Sequence, residues 1–369
     1  MRILHIAPLN YSGVPYTIVQ AEKSLGFDSR LITLSRHPFQ FPEDICLDLP
    51  FVRTHRLNRI KNIFRLGLPA ISPQKDRDPP FKEVNPVENI LLSMRDFLWS
   101  RKISRVSNDI DLDSFDVYHL IGGMPLYYDA RLMKRLAQNC KIIISTYLGS
   151  DLRVRGVYKE IHQISSCNFT VEYDHMHLYH GIHIIPFPFD FSRFDYRAQV
   201  DSQNVVIGHA PSYRRLKGTD TILEALRELK KSCSFEICLI ENESHDRALE
   251  LKSRCSLFID QISDLGYGIN AVESMAMAIP TFSSLRPEFK KMYPDHPFIE
   301  VTAESVKDVV APYLHDIELR RRQGNESRKW VMKVHDARSV VFKMHSILAD
   351  TVPLFKEKLE NPAINGDLK

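Results

Sequence analysis

Two basic side chains lie at a predicted junction between a strand and a helix. Arg214 and Lys217 follow an apolar strand predicted over 205–208, which leads into His209, and a helix is predicted from Thr219. Open α/β sheets bind ligands at the carboxyl ends of their strands. Guanidinium and ammonium groups at that edge, beside the free N–H groups of a helix N-terminus, suit a diphosphate. A solvated basic loop is the other interpretation, because Arg and Lys are usually exposed.

A second segment, about fifty residues later, places a carboxylate behind a glycine-bounded turn. Gly266, Tyr267 and Gly268 precede a helix predicted over 269–278, and glycines at such a turn allow the backbone to approach a ligand closely. Glu273 shares one face of that helix with apolar residues, namely Ile269, Val272 and Ala276. Burying this carboxylate without a partner would cost several kcal/mol, so we expect one. The ribose diol of a nucleotide is one candidate partner, and an arginine from a neighbouring element is the other.

Two loops in the first half of the chain carry further candidates. Ser12 and Gly13 lie in the turn after the first predicted strand, where a glycine can admit a phosphate or an acceptor group. A plain tight turn explains them equally well. Asp151 and Arg153 follow another strand and are predicted at the carboxyl edge of the sheet. Asp151 also fits the position of a helix N-cap.

Alternating strands and helices must position these residues. Strands are predicted over 3–6, 30–34, 117–120 and 141–146, and helices over 15–25 and 128–138, with Gly26 just past the first helix. After a proline-marked segment over 186–204 the pattern begins again, with strands over 205–208, 235–240, 257–260 and 281–283 and helices over 219–231 and 269–278. The chain from Glu304 onward is predicted to be largely helical. Continuous apolar strands in a βαβ rhythm indicate parallel sheets, so we predict two Rossmann-like domains joined at a hinge.

The composition excludes several classes of protein. The net charge of +3 over 369 residues is too small to indicate nucleic-acid binding. The six cysteines show no CxxC pair and no zinc-finger spacing, so we expect reduced thiols in a cytoplasmic protein and no metal site. The first residues predict a strand and not a signal peptide, and no apolar stretch approaches the roughly 20 residues of a membrane span.

One segment predicts contact with a membrane surface. Residues 53–67 combine five Arg or Lys side chains with interleaved apolar residues, which is typical of a basic amphipathic helix at the inner face of a membrane. A helix that covers the N-terminal sheet, with solvated charges, is the alternative. A proline-rich loop follows this segment.

These motifs together resemble the retaining glycosyltransferases of family 4, and the resemblance covers nearly the whole chain. It rests on 12–15, 115–120, 149–153, 186–190 with Phe194, Arg214 with 217–218, and 266–268 with 273–276. It implies the GT-B fold, in which two Rossmann-like domains face a central cleft. The implied domains are an N-terminal acceptor-side domain over 1–188 and a C-terminal nucleotide-sugar-binding domain over 189–352. A final helix, at about 353–369, is expected to pack back on the first.

The resemblance assigns roles to residues of this chain. Arg214 and Lys217 would hold the donor diphosphate, and Glu273 would bind the ribose. The implied catalytic residues are Arg214, Lys217, Glu273 and Asp151. The implied donor-binding residues are Ser12, Gly13, His209, Arg214, Lys217, Gly266, Tyr267, Gly268 and Glu273. The family's second glutamate, eight residues before the helix one, is replaced by Leu265 with Asp264 beside it, and Tyr147 and Leu148 stand where the family has a histidine.

The implied reaction moves a sugar from a nucleotide-diphosphate donor to a glycan or lipid-linked acceptor, in the synthesis of a surface polysaccharide or glycoconjugate. The nucleotide sugar is a substrate, and no cofactor, metal or nucleic acid is expected. Stabilisation of the leaving diphosphate by Arg214 and Lys217 would be electrostatic. Two other functions fit the same fold, namely a catalytically silent scaffold that binds a nucleotide sugar or a partner enzyme, and a nucleotide-sugar epimerase.

Overall fold

A computed structural model describes residues 1–52, 79–82, 84–194 and 204–360. The chain divides into two compact units. Unit 1 comprises Met1–His37, Phe41–Ile185 and Val341–Lys369, and unit 2 comprises Pro38–Gln40 and Pro186–Val340. The basic segment 53–67, predicted to contact a membrane, lies outside the described residues.

Unit 1 is built on a seven-stranded sheet. Its strands are β1 (Arg2–Ala7), β2 (Asp28–Thr33), β3 (Ile45–Cys46), β4 (Val117–Ile121), β5 (Ile142–Tyr147), β6 (Cys167–Thr170) and β7 (His183–Ile184). They pair in the order β3-β2-β1-β4-β5-β6-β7, and every pair is parallel. Strands β4 and β5 are buried along their whole length, which explains their continuous apolar sequences.

Of the helices of unit 1, those at 14–24 and 131–138 correspond to predicted ones, whereas the long helix over 86–109 was not predicted. The helices of this unit are α1 (Val14–Ser24), α2 (Pro86–Asp109), α3 (Arg131–Gln138) and α4 (Lys159–Ile164), with α12 (Ala337–Thr351) and α13 (Pro353–Leu359) at the end of the chain. Helix α2 begins with Pro86 after Asn85, whose side chain accepts a hydrogen bond from the Glu88 N–H at 2.8 Å. Helix α3 begins three residues later than predicted because Ala130, its N-cap, is left-handed at φ 55°.

The C-terminal helices are tied to unit 1 by buried charge. Glu22 of α1 accepts hydrogen bonds from His5 (2.6 Å), Ser29 (2.6 Å) and, 323 residues along the chain, His345 (2.9 Å). Burial raises the pKa of Glu22, but the two histidines outweigh it and hold the pKa far below its usual range. Further along, Lys358 of α13 donates to Asp116 at 2.6 Å.

Unit 2 contains a second parallel sheet of five strands. They are β8 (Val206–His209), β9 (Glu236–Leu239), β10 (Leu257–Gln261), β11 (Thr281–Ser283) and β12 (Ile299–Glu300), in the order β12-β11-β10-β8-β9. Its helices are α5 (Arg214–Lys217), α6 (Thr219–Leu229), α7 (His245–Lys252), α8 (Ile269–Ala276), α9 (Pro287–Met292), α10 (Val306–His315) and α11 (Ile317–His335). The predicted α/β class with parallel sheets is confirmed.

Two details of unit 2 differ from the sequence-based expectations. The basic residues before α6 form their own helical turn, α5, and Gly218 separates the two at φ 68°. The start of the predicted linker is not loosely packed, because Phe187, Phe189 and Phe194 are all buried. Phe189 exchanges backbone hydrogen bonds with His335 (2.8 Å) and Ala337 (3.1 Å).

A single glycine sets the packing between α8 and α11. A β-carbon at Gly324 of α11 would lie 2.0 Å from the carbonyl oxygen of Ala278. Because that atom belongs to the backbone, no side-chain rotation can make room for a methyl group. Gly324 therefore allows α11 to lie against the segment that follows α8.

Candidate functional site

The carboxyl ends of β8 and β10 bring the predicted residues of unit 2 together. His209 ends β8 and is fully buried. Its Nδ1 donates to the carbonyl of Ile259 at 2.8 Å, and its Nε2 accepts from the Thr219 hydroxyl at 2.9 Å. Burial lowers the pKa of His209, which keeps the ring neutral as these two bonds require. His209 thus fixes the start of α6 and does not project towards a ligand.

Lys217 is held by a buried carboxylate. Its Nζ lies 3.0 Å from Oδ1 of Asp260, the side chain of which is completely buried at the end of β10. The other oxygen of Asp260 accepts the N–H of Gly268 at 2.8 Å. A β-carbon at Gly268 would lie 3.0 Å from Lys217 Nζ, so the glycine leaves room for the ammonium group. One acid therefore joins the basic segment to the glycine turn.

Arg214 also has a carboxylate partner, but a more exposed one. Its guanidinium forms a two-pronged pair with Glu241 at 2.9 and 2.7 Å, and it lies 3.5 Å from Asp220. These hydrogen bonds raise the pKa of Arg214 and lower that of Glu241. Both predicted diphosphate-binding cations therefore form ion pairs with acidic side chains of this chain. An incoming anion must share each cation with its acid or displace that acid.

Glu273 has two strong partners in its protein surroundings. Its side chain is buried on α8, where one oxygen accepts from His245 Nε2 at 2.8 Å and the other from the ammonium of Lys252. Lys252 is also buried and donates to Asn270 at 2.9 Å. Burial raises the pKa of Glu273, but Lys252 and His245 outweigh it and lower the pKa to about 2. The expected partner is thus present, but it is a lysine with a histidine and not an arginine.

One residue of the glycine turn before α8, Tyr267, lies in the core of unit 2. Gly266 adopts φ 83°, the left-handed region that favours glycine. Tyr267 is buried against Phe289 and Phe298, and its hydroxyl donates to His335 Nε2 at 3.1 Å. The ring of Tyr267 therefore anchors the turn, and only backbone atoms of this residue face the predicted ligand position.

The position of the family's second glutamate holds no equivalent acid. Leu265 is half-buried, and Asp264 beside it is exposed. The carbonyl of Asp264 accepts a hydrogen bond from Arg286 at 2.6 Å, and Arg286 lies 3.2 Å from Glu288. A guanidinium group, that of Arg286, is thus held against the backbone of this part of the turn.

In unit 1 the loop after β1 is a tight turn of strained backbone. Ser12 and Gly13 both have positive φ, at 53° and 74°, and α1 begins directly after them. The buried side chain of Asn10 accepts from the Tyr16 N–H at 3.2 Å and donates to the carbonyl of Pro42 at 2.5 Å. The donor-binding roles of Ser12 and Gly13 remain predictions.

Asp151 organises its own loop. Its carboxylate accepts three backbone N–H groups, those of Leu148 (2.8 Å), Gly149 (2.9 Å) and Leu152 (2.8 Å). Ser150 is the N-cap of the helical turn Asp151–Arg155, so Asp151 closes the loop before that turn and is not the N-cap considered above. The catalytic role of Asp151 remains a prediction. His175, buried nearby, donates from Nε2 to the carbonyl of Gly149 at 3.1 Å, and burial, then Arg153, lowers its pKa to about 4.

The residues that hold the candidate site residues in place were not predicted from the sequence. Asp260 offered a signal, because it ends an apolar strand at the predicted ligand edge. Glu241 offered a similar signal, because it directly follows the apolar strand predicted over 235–240. Lys252 offered none, since it lies in an ordinary polar stretch. Among the described residues, no cluster of three His, Cys, Asp or Glu side chains could hold a metal ion. Nor is any helix within the described ranges long and apolar enough to cross a membrane.

Comparison with solved structures identifies the fold. HepE from Anabaena, solved in complex with UDP, has a TM-score of 0.56 at 10% identity, over 95% of this chain and 100% of its own. Sucrose-phosphate synthase from Thermosynechococcus elongatus has a TM-score of 0.62 at 12% identity, over 96% of this chain and 100% of its own. WaaG, a glycosyltransferase involved in lipopolysaccharide biosynthesis, has a TM-score of 0.52 at 12% identity, over 94% and 99%.

This chain has the GT-B fold. The similarity extends over nearly all of it and of the proteins compared, so both Rossmann-like units are accounted for. No protein-family model matches the sequence. No curated protein matches it either. At identities of 10–12% the structural likeness establishes the fold and leaves the activity to be argued from the site.

Proposed function

We propose that this protein is a glycosyltransferase that uses a nucleotide-diphosphate sugar. The observation that carries the proposal is the arrangement at the carboxyl edge of the unit 2 sheet. There Lys217, Gly268 and the buried Asp260 are joined by hydrogen bonds, and Arg214 lies on the same helical turn as Lys217. The GT-B proteins compared above include one solved in complex with UDP, which supports a nucleotide as a ligand of this chain.

The two cations would neutralise the charge that develops on the leaving diphosphate. An ammonium has three donors, so Lys217 can keep its bond to Asp260 and still donate to a phosphate oxygen. Arg214 is half exposed, and its pair with Glu241 can open at little cost because exposed ion pairs contribute about 0–1 kcal/mol. The buried Asp260 therefore orients Lys217, whereas the guanidinium of Arg214 can change its position.

Glu273 would receive the ribose hydroxyls. Each carboxylate oxygen can accept two hydrogen bonds, and the bonds from His245 and Lys252 use one on each side. The pKa of about 2 keeps Glu273 ionised at neutral pH, as an acceptor of hydroxyl groups must be. Lys252 and His245 would in this way prepare the carboxylate for the donor nucleotide.

The finer features of the proposal come from the family resemblance. They are retention of configuration, membership of family 4, a hexose as the transferred sugar, independence of metal ions, and a glycan or lipid-linked acceptor bound by unit 1. We place the reaction in the cytoplasm, at the inner face of a membrane. Activity that survives EDTA and a product with the donor's anomeric configuration are the expected results.

A silent scaffold is the second candidate, and two observations favour it. Leu265 replaces the acid expected to contact the donor sugar, and Glu273 is already satisfied by Lys252 and His245. Such a protein would bind the nucleotide sugar, or a partner enzyme, without consuming the sugar.

Binding and turnover are tested in sequence. Thermal unfolding is measured with UDP, GDP, ADP and their glucose or mannose derivatives, because a ligand of the native state raises the melting temperature by mass action. A nucleotide sugar that stabilises the protein is then incubated with it, and release of the nucleoside diphosphate is measured with and without candidate glycan acceptors. Stabilisation with acceptor-dependent release supports the transferase. Stabilisation with no release for any acceptor favours the scaffold. No stabilisation by any nucleotide contradicts the transferase and a scaffold that binds the nucleotide sugar, and leaves only one that binds a partner enzyme.

A further inference from the structure

Two cysteines of unit 2 lie side by side at one edge of its sheet. Cys238 belongs to β9, the last strand in the order of this sheet, and pairs in register with Gly208 of β8. Cys255 lies between the end of α7 and the start of β10. Both residues are free thiols. The sheet thus brings together two sulfur atoms that belong to different elements.

The glycine beside them explains how close the two sulfur atoms come. A β-carbon at Gly208 would lie 2.6 Å from Cys255 Sγ, so this sulfur occupies the space that a side chain at Gly208 would fill. Residues paired in register on neighbouring strands carry their side chains on the same face of the sheet. Cys238 therefore faces the same sulfur, and the two thiols share a hydrogen bond.

Cys238 is the more reactive of the two thiols. It is half-buried in the edge strand, whereas Cys255 is buried. The hydrogen bond from the Cys255 thiol outweighs burial and lowers the pKa of Cys238 to about 7. The charges of Arg254 and Arg247 act in the same direction. Roughly half of the Cys238 side chains are therefore thiolates at neutral pH, and the thiolate is the nucleophilic form.

Cys255 is suited to the second step of a disulfide exchange. Its hydrogen bond to Cys238 and its burial raise the pKa of Cys255, which keeps this thiol protonated while Cys238 is a thiolate. The charge of Lys252 acts the other way and favours the Cys255 thiolate. Once Cys238 has formed a bond to another sulfur it carries no charge, so Cys255 then becomes easier to ionise. The Cys255 Sγ also lies 3.5 Å from the Leu251 carbonyl, but a thiolate is the stronger acceptor of its proton.

We propose that Cys238 and Cys255 are a redox-active dithiol, which low-molecular-weight disulfides oxidise to an intramolecular disulfide. The Cys238 thiolate attacks one sulfur of the small disulfide, RSSR, whose S–S bond breaks and releases RS⁻. The Cys255 thiol then loses its proton and attacks the Cys238 sulfur, and the second RS⁻ leaves. The two protons of the dithiol pass through the solvent to the two RS⁻ groups. RSSR is thereby reduced to two RSH, while the protein loses two electrons and two protons.

The exchange is a property of the protein that is separate from the proposed transferase activity, because it requires neither nucleotide nor acceptor. In a reducing compartment the internal disulfide would be transient, since small thiols reverse both steps. The site therefore responds to the ratio of small disulfide to small thiol. A failure of the proposed transferase would leave this exchange unaffected.

Equilibration with glutathione tests the proposal. The reduced full chain is incubated with mixtures of reduced and oxidised glutathione, quenched with acid, alkylated, and analysed by mass spectrometry of its peptides. We expect Cys238 and Cys255 to appear in one cross-linked peptide pair without bound glutathione. The oxidised fraction should depend on the square of the reduced glutathione concentration, because an internal disulfide releases two thiols. A dependence on the first power, with glutathione retained on Cys238, would overturn the proposal.

Single substitutions separate the two steps. Cys255→Ser removes the second nucleophile, so the reaction should stop at a glutathione adduct of Cys238. Cys238→Ser removes the accessible thiolate and should slow the reaction of the buried Cys255 on the order of tenfold or more. If Cys255→Ser accumulates no more adduct than the unmodified protein, Cys255 does not resolve the mixed disulfide and the proposal is wrong.

Three further comparisons complete the test. Cys233→Ser removes another thiol of unit 2, whose sulfur lies 3.5 Å from His315 Nε2, and should leave formation of the internal disulfide unchanged. Thermal unfolding of each reduced variant is measured first, and Cys255→Ala provides a second variant if serine at this buried position destabilises the fold. A disulfide-linked dimer on a non-reducing gel, in place of the internal disulfide, would assign the reaction to two copies of the chain and overturn the proposal.

Discussion

Lys217 Nζ and Asp260 Oδ1 lie 3.0 Å apart at the edge of the unit 2 sheet, and the second oxygen of the same carboxylate accepts the Gly268 N–H. The pair connects the two segments that the sequence singled out, although 43 residues separate its members. A buried acid orients the cation that we expect to meet a diphosphate. Both binding and stability therefore depend on Lys217, and a test must separate them.

Replacement of Lys217 by Ala should weaken binding of a nucleoside diphosphate by about 1.5–3 kcal/mol, the usual contribution of a charged hydrogen bond. Binding of the corresponding nucleoside should change little, because it lacks the phosphates. Isothermal titration calorimetry with UDP and uridine measures both. Equal losses for the two ligands would contradict the diphosphate role. Lys231→Ala, an exposed lysine paired with Glu228, is the matched control.

The same substitution leaves the buried Asp260 without its cation, which should lower the free energy of unfolding by about 3–5 kcal/mol. The double variant Lys217→Ala/Asp260→Asn should recover much of that stability while it still binds UDP weakly. If the double variant regains UDP binding, the lost affinity of the single variant came from a disturbed fold and not from the missing ammonium.

Lys252→Met should destabilise the protein by about 3–5 kcal/mol, since it leaves the buried Glu273 without its lysine. Glu273→Gln should also destabilise it, because Lys252 is fully buried and would lose its counter-charge. The pair Glu273→Gln/Lys252→Met should be more stable than the sum of the single effects predicts. Urea unfolding of the four proteins gives the coupling energy. Additive effects would show that the two side chains do not interact.

Acid should remove part of the stability through Glu273. Its pKa is about 2 in the folded protein against an ordinary value of 4.5, so the ionised form is favoured by folding. The contribution is therefore complete above about pH 4.5 and is lost as the pH falls towards 2, with about 2 kcal/mol lost by pH 3.

Urea unfolding at pH 7 and pH 3 checks this value. The free energy of unfolding should differ less between pH 7 and pH 3 in Glu273→Gln than in the unmodified protein, by about 2 kcal/mol. Glu22→Gln should also reduce the difference, because the pKa of Glu22 is lowered in the same direction. An unchanged pH dependence in Glu273→Gln would rule out the low pKa.

Gly324→Ala should lower the free energy of unfolding by several kcal/mol, since the added methyl group meets the carbonyl oxygen of Ala278 at 2.0 Å. Helix propensity alone would favour alanine by about 1 kcal/mol, so the sign of the change identifies the steric cause. Arg322→Ala, at an exposed position of the same helix, is the control and should change stability by less than about 0.5 kcal/mol. Thermal and urea unfolding of the two variants provide the comparison.

Local interactions were predictable from the sequence, and long-range ones were not. Asp151 bonds to N–H groups no more than three residues away, so a local structural role could be predicted from its neighbours, although the residue closes a loop and Ser150 is the N-cap. The need of Glu273 for a partner followed from its apolar helix face. The identity of that partner did not, because Lys252 reaches Glu273 only through the packing of α7 against the rest of unit 2.

Tyr267 is a second example of a long-range contact that the sequence does not reveal. The resemblance implies a donor-binding role for this residue, which remains a prediction. The sequence does not reveal that its ring enters the core beside His335, which lies 68 residues further along the chain. The strands and helices that were predicted, by contrast, lie within a few residues of the observed ones, because apolar periodicity determines them. Other elements, including helix α2 and strands β6 and β7, were not predicted.

The return of the chain to unit 1 has a consequence for its synthesis. Residues 186–340, nearly all of unit 2, are synthesised before Val341, while unit 1 still lacks α13 and most of α12. Until His345 is synthesised, the carboxylate of Glu22 has only the partners His5 and Ser29. Unit 1, which begins first, therefore acquires α12 and α13 only after nearly all of unit 2 has been made.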